Sequence, residues 1–220
     1  MPRYNLPSTA SLSGARRPRV TLWDAEEAPV LTLGRAHEAT GPARRVFAAL
    51  AAGRLSGPVL WIMEPRSREE LHPQGLAAFF DPSRLVIARP RRIEDALWTA
   101  EEALRSGACP LVVAELDEAP GLTPARRLNL SAETGAERMK GAPLMLVLFA
   151  RGAGSGAAET RWRVSPAPGW AKDGANLRSA GGAPRWRLER VKDKAAPPAA
   201  WEAAQPSPGR WRAAQVSAAA

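Results

Sequence analysis

Short, unbroken apolar runs alternate with amphipathic stretches through the middle of the chain. Val59-Leu-Trp-Ile-Met63, set between Gly57-Pro58 and Pro65, has the continuous hydrophobicity of a strand buried on both faces. Leu85-Val-Ile87, introduced by Asp81-Pro82, reads the same way. Leu111-Val-Val-Ala114 is the next strand, and Leu144-Met-Leu-Val-Leu-Phe149 is the longest. Between these runs the period changes. Ile93, Leu97, Ala100 and Leu104 recur at helical spacing, Glu94 and Asp95 lie in the first turn, and Gly107 follows the last, which predicts a helix over 91–106. Pro42 suits the first turn of an earlier helix with Val46, Phe47 and Leu50 on its apolar face and Gly53 as its stop. Thr123-Pro124 supplies an N-cap and a first residue for a later helix running to about Ala132. Strands that alternate with helices imply parallel crossover units, so the expected fold is α/β with a mostly parallel sheet covered by helices on both faces.

The two ends read differently. Residues 1–30 hold Pro, Ser, Arg and a short Val20-Thr-Leu-Trp23 run, and predict a loosely docked arm before an α/β domain over 31–190. After Phe149, Gly152-Ala-Gly-Ser-Gly156 reads as a flexible loop, and Arg161-Trp-Arg-Val164 and Arg185-Trp-Arg-Leu-Glu189 as short strands. From 191 to 220 the Ala/Pro-rich composition has no period, which predicts a disordered basic tail. Two similar pieces in it, Trp201-Glu-Ala-Ala-Gln205 and Trp211-Arg-Ala-Ala-Gln215, read as ordinary tail ahead of interaction motifs.

Composition narrows the classes. A length of 220 residues suits one α/β domain with appendages, and much of the 45% hydrophobic content is alanine, so the core must come from the Val/Ile/Leu clusters. The single Cys109 excludes an internal disulfide and a multi-thiolate metal site, and two histidines leave no zinc cluster. The first residues lack an apolar signal core, and no run reaches the about 20 residues that span a bilayer, which points to a cytoplasmic protein with no membrane partner. Net charge is +9. Residues 151–220 carry twelve Lys/Arg against five Asp/Glu and five of the eight tryptophans, so +7 of the charge is in that third. Arg and Trp together suit nucleic-acid backbones and bases, and equally protein hot spots. Two Arg-Trp-Arg triplets, Arg161, Trp162, Arg163 and Arg185, Trp186, Arg187, are the candidate contacts. In a strand the Trp projects from one face and its arginines from the other, giving either a basic outer face or an aromatic anchor.

One segment has the frame of a nucleotide site without its chemistry. Gly34 to Leu50 reads as strand, turn and helix, with Gly41 where a phosphate loop would open. Ala43-Arg-Arg-Val-Phe47 then lacks the glycines, the Lys and the Ser/Thr that cradle phosphates and hold magnesium. Arg44 and Arg45 stand in their place, at a helix start that favours anions. They are candidates for a DNA phosphate or an acidic partner, and equally for a solvated helix face.

Three short matches in order, Gly34-Arg-x-x-Glu-x-x-Gly-Pro42, Ala103-Leu-Arg-Ser-Gly-Ala108 and Leu122-Thr-Pro124, resemble the RecA recombinase core. The departures matter more. Ala114 and Glu115 occupy the end of the Walker B strand where an Asp would face magnesium, and Glu64 lies about one residue from the place of the water-activating Glu. Without phosphate and metal an isolated carboxylate there does no chemistry, so hydrolysis, and with it a divergent ATPase, is not expected. Among RecA-like proteins without the loop, the chain resembles the ImuA family of the bacterial damage-inducible mutagenesis cassette. The residues that carry this are Pro58–Ile62, Gly75–Phe79, Ala96–Arg105, Thr123–Leu128, Thr160–Pro168 and Asn176–Gly182. The resemblance implies a non-catalytic accessory protein of translesion synthesis with no cofactor. Its implied partners are an ImuB-like inactive Y-family polymerase homologue and an error-prone C-family DNA polymerase, with RecA or single-stranded DNA as further candidates. The alternative, from the SulA-like division inhibitors, would bind the tubulin-like division GTPase; the long basic region after Phe149 favours the first.

Remaining residues weigh as follows. Gly152-x-Gly-x-x-Ala157 matches a dinucleotide fingerprint formally, but only four residues separate Gly156 from the strand at Arg161, leaving no room for a phosphate-facing helix. In a RecA-like core it would be the second DNA-binding loop; a flexible connector is the plainer reading. Arg126 and Arg127, early in their helix, oppose its dipole and are therefore contact candidates. Trp98, one position off the core stripe, reads as packing at the helix edge. His37 and Glu38 are adjacent on a strand, point to opposite faces and form no dyad. Cys109 before Pro110 reads as a small buried residue.

Overall fold

The continuous apolar runs form buried strands, and the helical periods form the helices that cover them. A computed structural model describes residues 17–64, 67, 69–139, 141–167 and 183–217. Strands β1 (Arg19–Thr21) and β2 (Val30–Thr32) pair as a small antiparallel ribbon. The main sheet then builds from β3 (Ala36–Thr40), helix α1 (Arg44–Arg54), β4 (Val59–Ile62), the single turn α2 (Pro73–Leu76), β5 (Leu85–Ala88), α3 (Ile93–Ser106), β6 (Leu111–Glu118), α4 (Leu122–Ala136), β7 (Leu144–Arg151) and β8 (Thr160–Pro166). Its order from the β5 edge is β5-β4-β6-β7-β3-β8, and every neighbouring pair in this series is parallel. The side-chain alternation of the strands splits the interior into two cores. On one face Ala39, Trp61, Val113 and Leu146 meet Phe47 and Leu50 of α1, with Leu22 and Trp23 just after β1 and Leu31 of β2. On the other, Ile62, Val112, Met145 and Phe149 meet Ala100 and Leu104 of α3 and Leu128 of α4. This is the RecA-like α/β architecture with a mostly parallel sheet.

Several local expectations change. Gly53 does not stop α1; it is inside the helix, because a β-carbon there would lie 2.6 Å from the Phe79 carbonyl oxygen that packs against it. Thr123 is no N-cap: α4 begins at Leu122 behind Gly121, two residues earlier than expected, and Pro124 falls within a first turn whose N–H groups have no helical partner in any case. β5 is an edge strand, so Val86 and Ile87 are half exposed where a doubly buried strand was expected. Trp98 is 60% exposed, because the neighbouring helix meets α3 at Glu101 and Leu104 and leaves the next position outward uncovered. Cys109 is partly buried beside the second core, and burial pushes its thiol up.

The largest corrections concern the ends. The first arm's residues 1–16 lie outside the described residues, but from Arg17 it is firmly docked, with Leu22 and Trp23 buried. The tail from 191 is not disordered over its described part. β9 (Arg185–Asp193), β10 (Ala199–Ser207) and β11 (Arg210–Val216) continue the sheet beyond β8 as an antiparallel meander. The two similar Trp pieces are each other's cross-strand partners, with Trp201 opposite Gln215 and Ala203 opposite Ala213. A linked set of aromatic contacts seats them. Trp162 lies 5.2 Å from Phe47 and 5.6 Å from Trp201, while Trp211 touches Trp23, Phe79 and Trp186 at 5.8–6.4 Å. Trp201 donates its indole N–H to the Glu27 carbonyl at 2.6 Å, and Gln205 donates to the Ala78 carbonyl at 2.6 Å. Among the alanines that made the tail look featureless, Ala199 and Ala203 are buried in the same cluster as Trp162 and Trp201.

Ending the chain at Val191 should therefore be severe. Losing the buried Trp201 alone is worth about 3 kcal/mol, or roughly 10 °C of melting temperature at this size. Circular-dichroism melts of the truncated and full chains measure this, and coincident curves would mean that β10 and β11 contribute nothing to the fold.

Candidate functional site

The vacated nucleotide position is filled by the protein's own charges. Glu115 projects from β6 towards α1, with its side chain 3% exposed. Arg45 Nε lies 3.0 Å from both of its carboxylate oxygens, Arg44 Nη2 lies 3.2 Å from Oε1, and the Trp61 indole N–H points to Oε2 at 3.4 Å. Arg45 also reaches Glu69 at 2.8 Å. Two guanidinium groups thus meet β6 at its buried carboxylate, on the side where a phosphate-loop protein would place a metal and its phosphates. They begin a helix whose first turn has no acidic residue, and Glu115 offsets the repulsion between them and the helix dipole.

The turn before α1 does not fit a nucleotide. Gly41 has φ +97°, and a β-carbon on it would lie 2.4 Å from the Val164 carbonyl oxygen, so the turn is pressed onto β8. The Ala43 N–H, which would face a phosphate, donates to Val164 O at 3.0 Å, and the Arg44 N–H donates to Gly41 O. Arg44 and Arg45 are therefore neither a free anion site nor a solvated helix face: both are 21–26% exposed and committed to Glu115.

A second buried carboxylate organises the connector from β7 to β8. This crossover joins parallel strands with eight residues and no helix, fewer than the dozen or more such links usually need. It is held by Glu38 of β3, which accepts the Ser155 N–H at 2.8 Å and the Arg161 Nε–H at 2.7 Å. Lys192 donates to the carbonyls of Ser155, Gly156 and Ala158, and Asn129 of α4 donates to that of Ala157. A β-carbon at Gly154 would fall 2.4 Å from Glu38 Oε2 and 2.1 Å from Arg161 Nε. Gly154, one of the two glycines that mimic a dinucleotide fingerprint, serves this close approach, and the connector is pinned, not flexible. Desolvation and the neighbouring Arg161 lower the Lys192 ammonium from its ordinary value.

On the opposite face of β3, His37 bridges the ribbon to β8. Its Nε2 lies 2.9 Å from the Thr32 carbonyl, which only accepts, so Nε2 carries the proton and Nδ1 accepts from the Thr160 hydroxyl at 2.7 Å. Thr160 in turn accepts the Trp162 indole N–H at 2.7 Å. His37 and Glu38 thus work on opposite faces, as their adjacency on a strand predicts.

No family model matches the chain. It is 33% identical to Protein ImuA from each of two strains of Caulobacter vibrioides, NA1000 / CB15N and CB 15, over 78% of this chain and 75% of the relative. The chain belongs to the ImuA family. The crystal structure of the RadB recombinase superposes with a TM-score of 0.50 at 13% identity, covering 80% of this chain and 90% of that one, which shows the shared fold.

In this family member the Arg-Trp-Arg triplets are only partly surface. Trp162 is fully buried beside Phe47, Arg161 is held by Glu38, and Arg163 alone of the first triplet is exposed. In the second, Arg185 is 8% exposed, Trp186 packs on Phe79 and Trp211, and Arg187 bridges Glu189 and Glu202. Neither tryptophan is an outward anchor, since both face the α1 side. Arg126 and Arg127 are both exposed, and Arg127 binds Glu101 of α3 at 2.8 Å. The site residues thus do not converge on one patch. Glu115 and Trp61 are the members of the filled site that the sequence pattern left without a role; a carboxylate at the end of an apolar strand, with two arginines early in the helix above it, was the signal.

Two measurements probe these interiors. Glu115→Gln leaves Arg44 without its carboxylate and Arg45 with the exposed Glu69 alone, and should cost about 3 kcal/mol in urea unfolding, recovered in part when both arginines become methionine; an unshifted midpoint would show that the ion pairs are dispensable. Burial brings His37 down from 6.5 to about 4, the bond to Thr32 opposing only part of that shift. The neutral form is thus the folded form. Its contribution is complete above pH 6.5 and is lost as pH falls towards 4, so unfolding free energy should drop by about 2 kcal/mol between pH 7 and pH 5. His37→Gln should remove that component.

Proposed function

We propose that this protein is a non-catalytic accessory factor in damage-induced mutagenesis, acting in the cytoplasm as a docking partner of translesion polymerases. The observation that carries the reading is the pair of arginines bound to Glu115. A chain that neutralises its Walker B carboxylate with its own helix has no use for magnesium and a triphosphate there, and keeps the sheet as a scaffold. Membership of the ImuA family supplies the biological setting. The partners that fit are an ImuB-like inactive Y-family polymerase homologue and an error-prone C-family DNA polymerase.

Arg163 and Arg126, exposed on different elements, are the members of the predicted contact set best placed to meet a partner. Trp162 and Arg161 hold the strand that carries Arg163 through Phe47 and Glu38.

Titration calorimetry with ATP and magnesium should give no saturable heat, and deleting the gene should lower damage-induced mutation frequency while homologous recombination continues. Micromolar, magnesium-dependent ATP binding, or an unaltered induced mutation frequency in the deletion strain, would overturn the reading.

A further inference from the structure

Helix α4 presents an unusual outer stripe. Leu122, Arg126 and Leu130 follow one another at successive turns, and the two leucines are 47% and 61% exposed. With Arg35, Glu133 and Lys194 they line a cleft of about 430 Å³ between α4 and the pinned connector. A helix that only covers a sheet keeps its leucines on the inner side, as α4 does with Leu128. Two leucines on the outer side, flanking an arginine, are a surface feature with no role in the core.

The charge around the cleft indicates what it accepts. Glu133 is bound by Arg17 and Arg35, and Glu159 by Lys194 at 3.2 Å and Arg35 at 3.8 Å. Both acids are consumed within the protein. Arg126 has no hydrogen-bond or ion-pair partner among the described residues. The four cations against two acids leave a net positive rim around an apolar floor. Nucleic acid is disfavoured there, because single strands bind on aromatic platforms and none of the residues lining the cleft is aromatic.

We infer that the α4 cleft is a docking site for an acidic amphipathic helical segment of a partner protein. Its apolar side chains, spaced one turn apart, seat on Leu122 and Leu130, and its carboxylates meet Arg126 and the ends of Arg35 and Lys194. This rests on the reading of the protein as a partner-binding factor and gives that reading a surface distinct from the Arg-Trp-Arg strands.

The test uses the full chain and two labelled helical peptides of about four turns. Both carry leucines one turn apart, with Asp/Glu in one and Lys in the other. Fluorescence polarisation should show saturable binding of the acidic peptide, weakened by salt, and none of the basic one. Leu122→Ser with Leu130→Ser, and separately Arg126→Glu, should each weaken it at least about tenfold with unchanged melting curves, since all three side chains are exposed. Equal binding of both peptides, no binding of either, or full affinity in these variants overturns the proposal. So does binding of a labelled oligothymidylate that Arg126→Glu abolishes and the serine variant leaves intact, which would make the face a nucleic-acid contact. A purified Y-family polymerase homologue separates the two levels of inference. If it binds the wild-type and serine chains alike, the cleft assignment fails and the partner reading stands; if only the peptide binds, the reverse holds.

Discussion

A carboxylate buried within a central strand must be neutralised, and how this is done determines what the rest of the sheet can do. In a phosphate-loop protein the neutralising charge arrives with a magnesium nucleotide and leaves with it. Here it is covalently part of the chain, on the first turn of the helix that the phosphate loop would have introduced. The ion pairs to Glu115 tie α1 to β6 across the sheet, and the Gly41 turn is drawn onto β8 where phosphates would otherwise lie. An interaction with removable charge permits a cycle of states; one with fixed charge holds a single state.

The same economy recurs at Glu38. A crossover without a helix has no backbone ladder of its own to satisfy its N–H and C=O groups. One buried carboxylate, one asparagine and three basic side chains of the chain's last third perform that task. Much of the positive charge that sequence composition assigns to an external partner is spent here and in the Arg187 bridges. The charge left over is consequently local, and Arg126 beside two exposed leucines is a clearer recognition feature than the overall net charge.

The aromatic residues follow the same pattern. Trp and Arg in a basic segment read as an interface, yet these rings are the core of a sheet extension, joined to the ribbon at the other end of the sequence. Trp23 and Trp211 are adjacent in space and nearly the whole chain apart in sequence. Contacts of that separation leave no trace in a local period, and alanine-rich strands carry too little hydrophobicity of their own to register as strands.

The sequence by itself determined the parallel core, because strands buried on both faces and helices with one apolar side write their period into every few residues. It also determined that the phosphate chemistry is missing, because that chemistry depends on residue identity at fixed spacing. The edge position of β5, the partners of Glu115 and Glu38, the outward placement of Trp98 and Leu130, and the strands β10 and β11 were decided only by the tertiary structure. Each depends on what another, distant segment does or does not cover, and burial of that kind is a property of the assembled sheet and not of any stretch of chain.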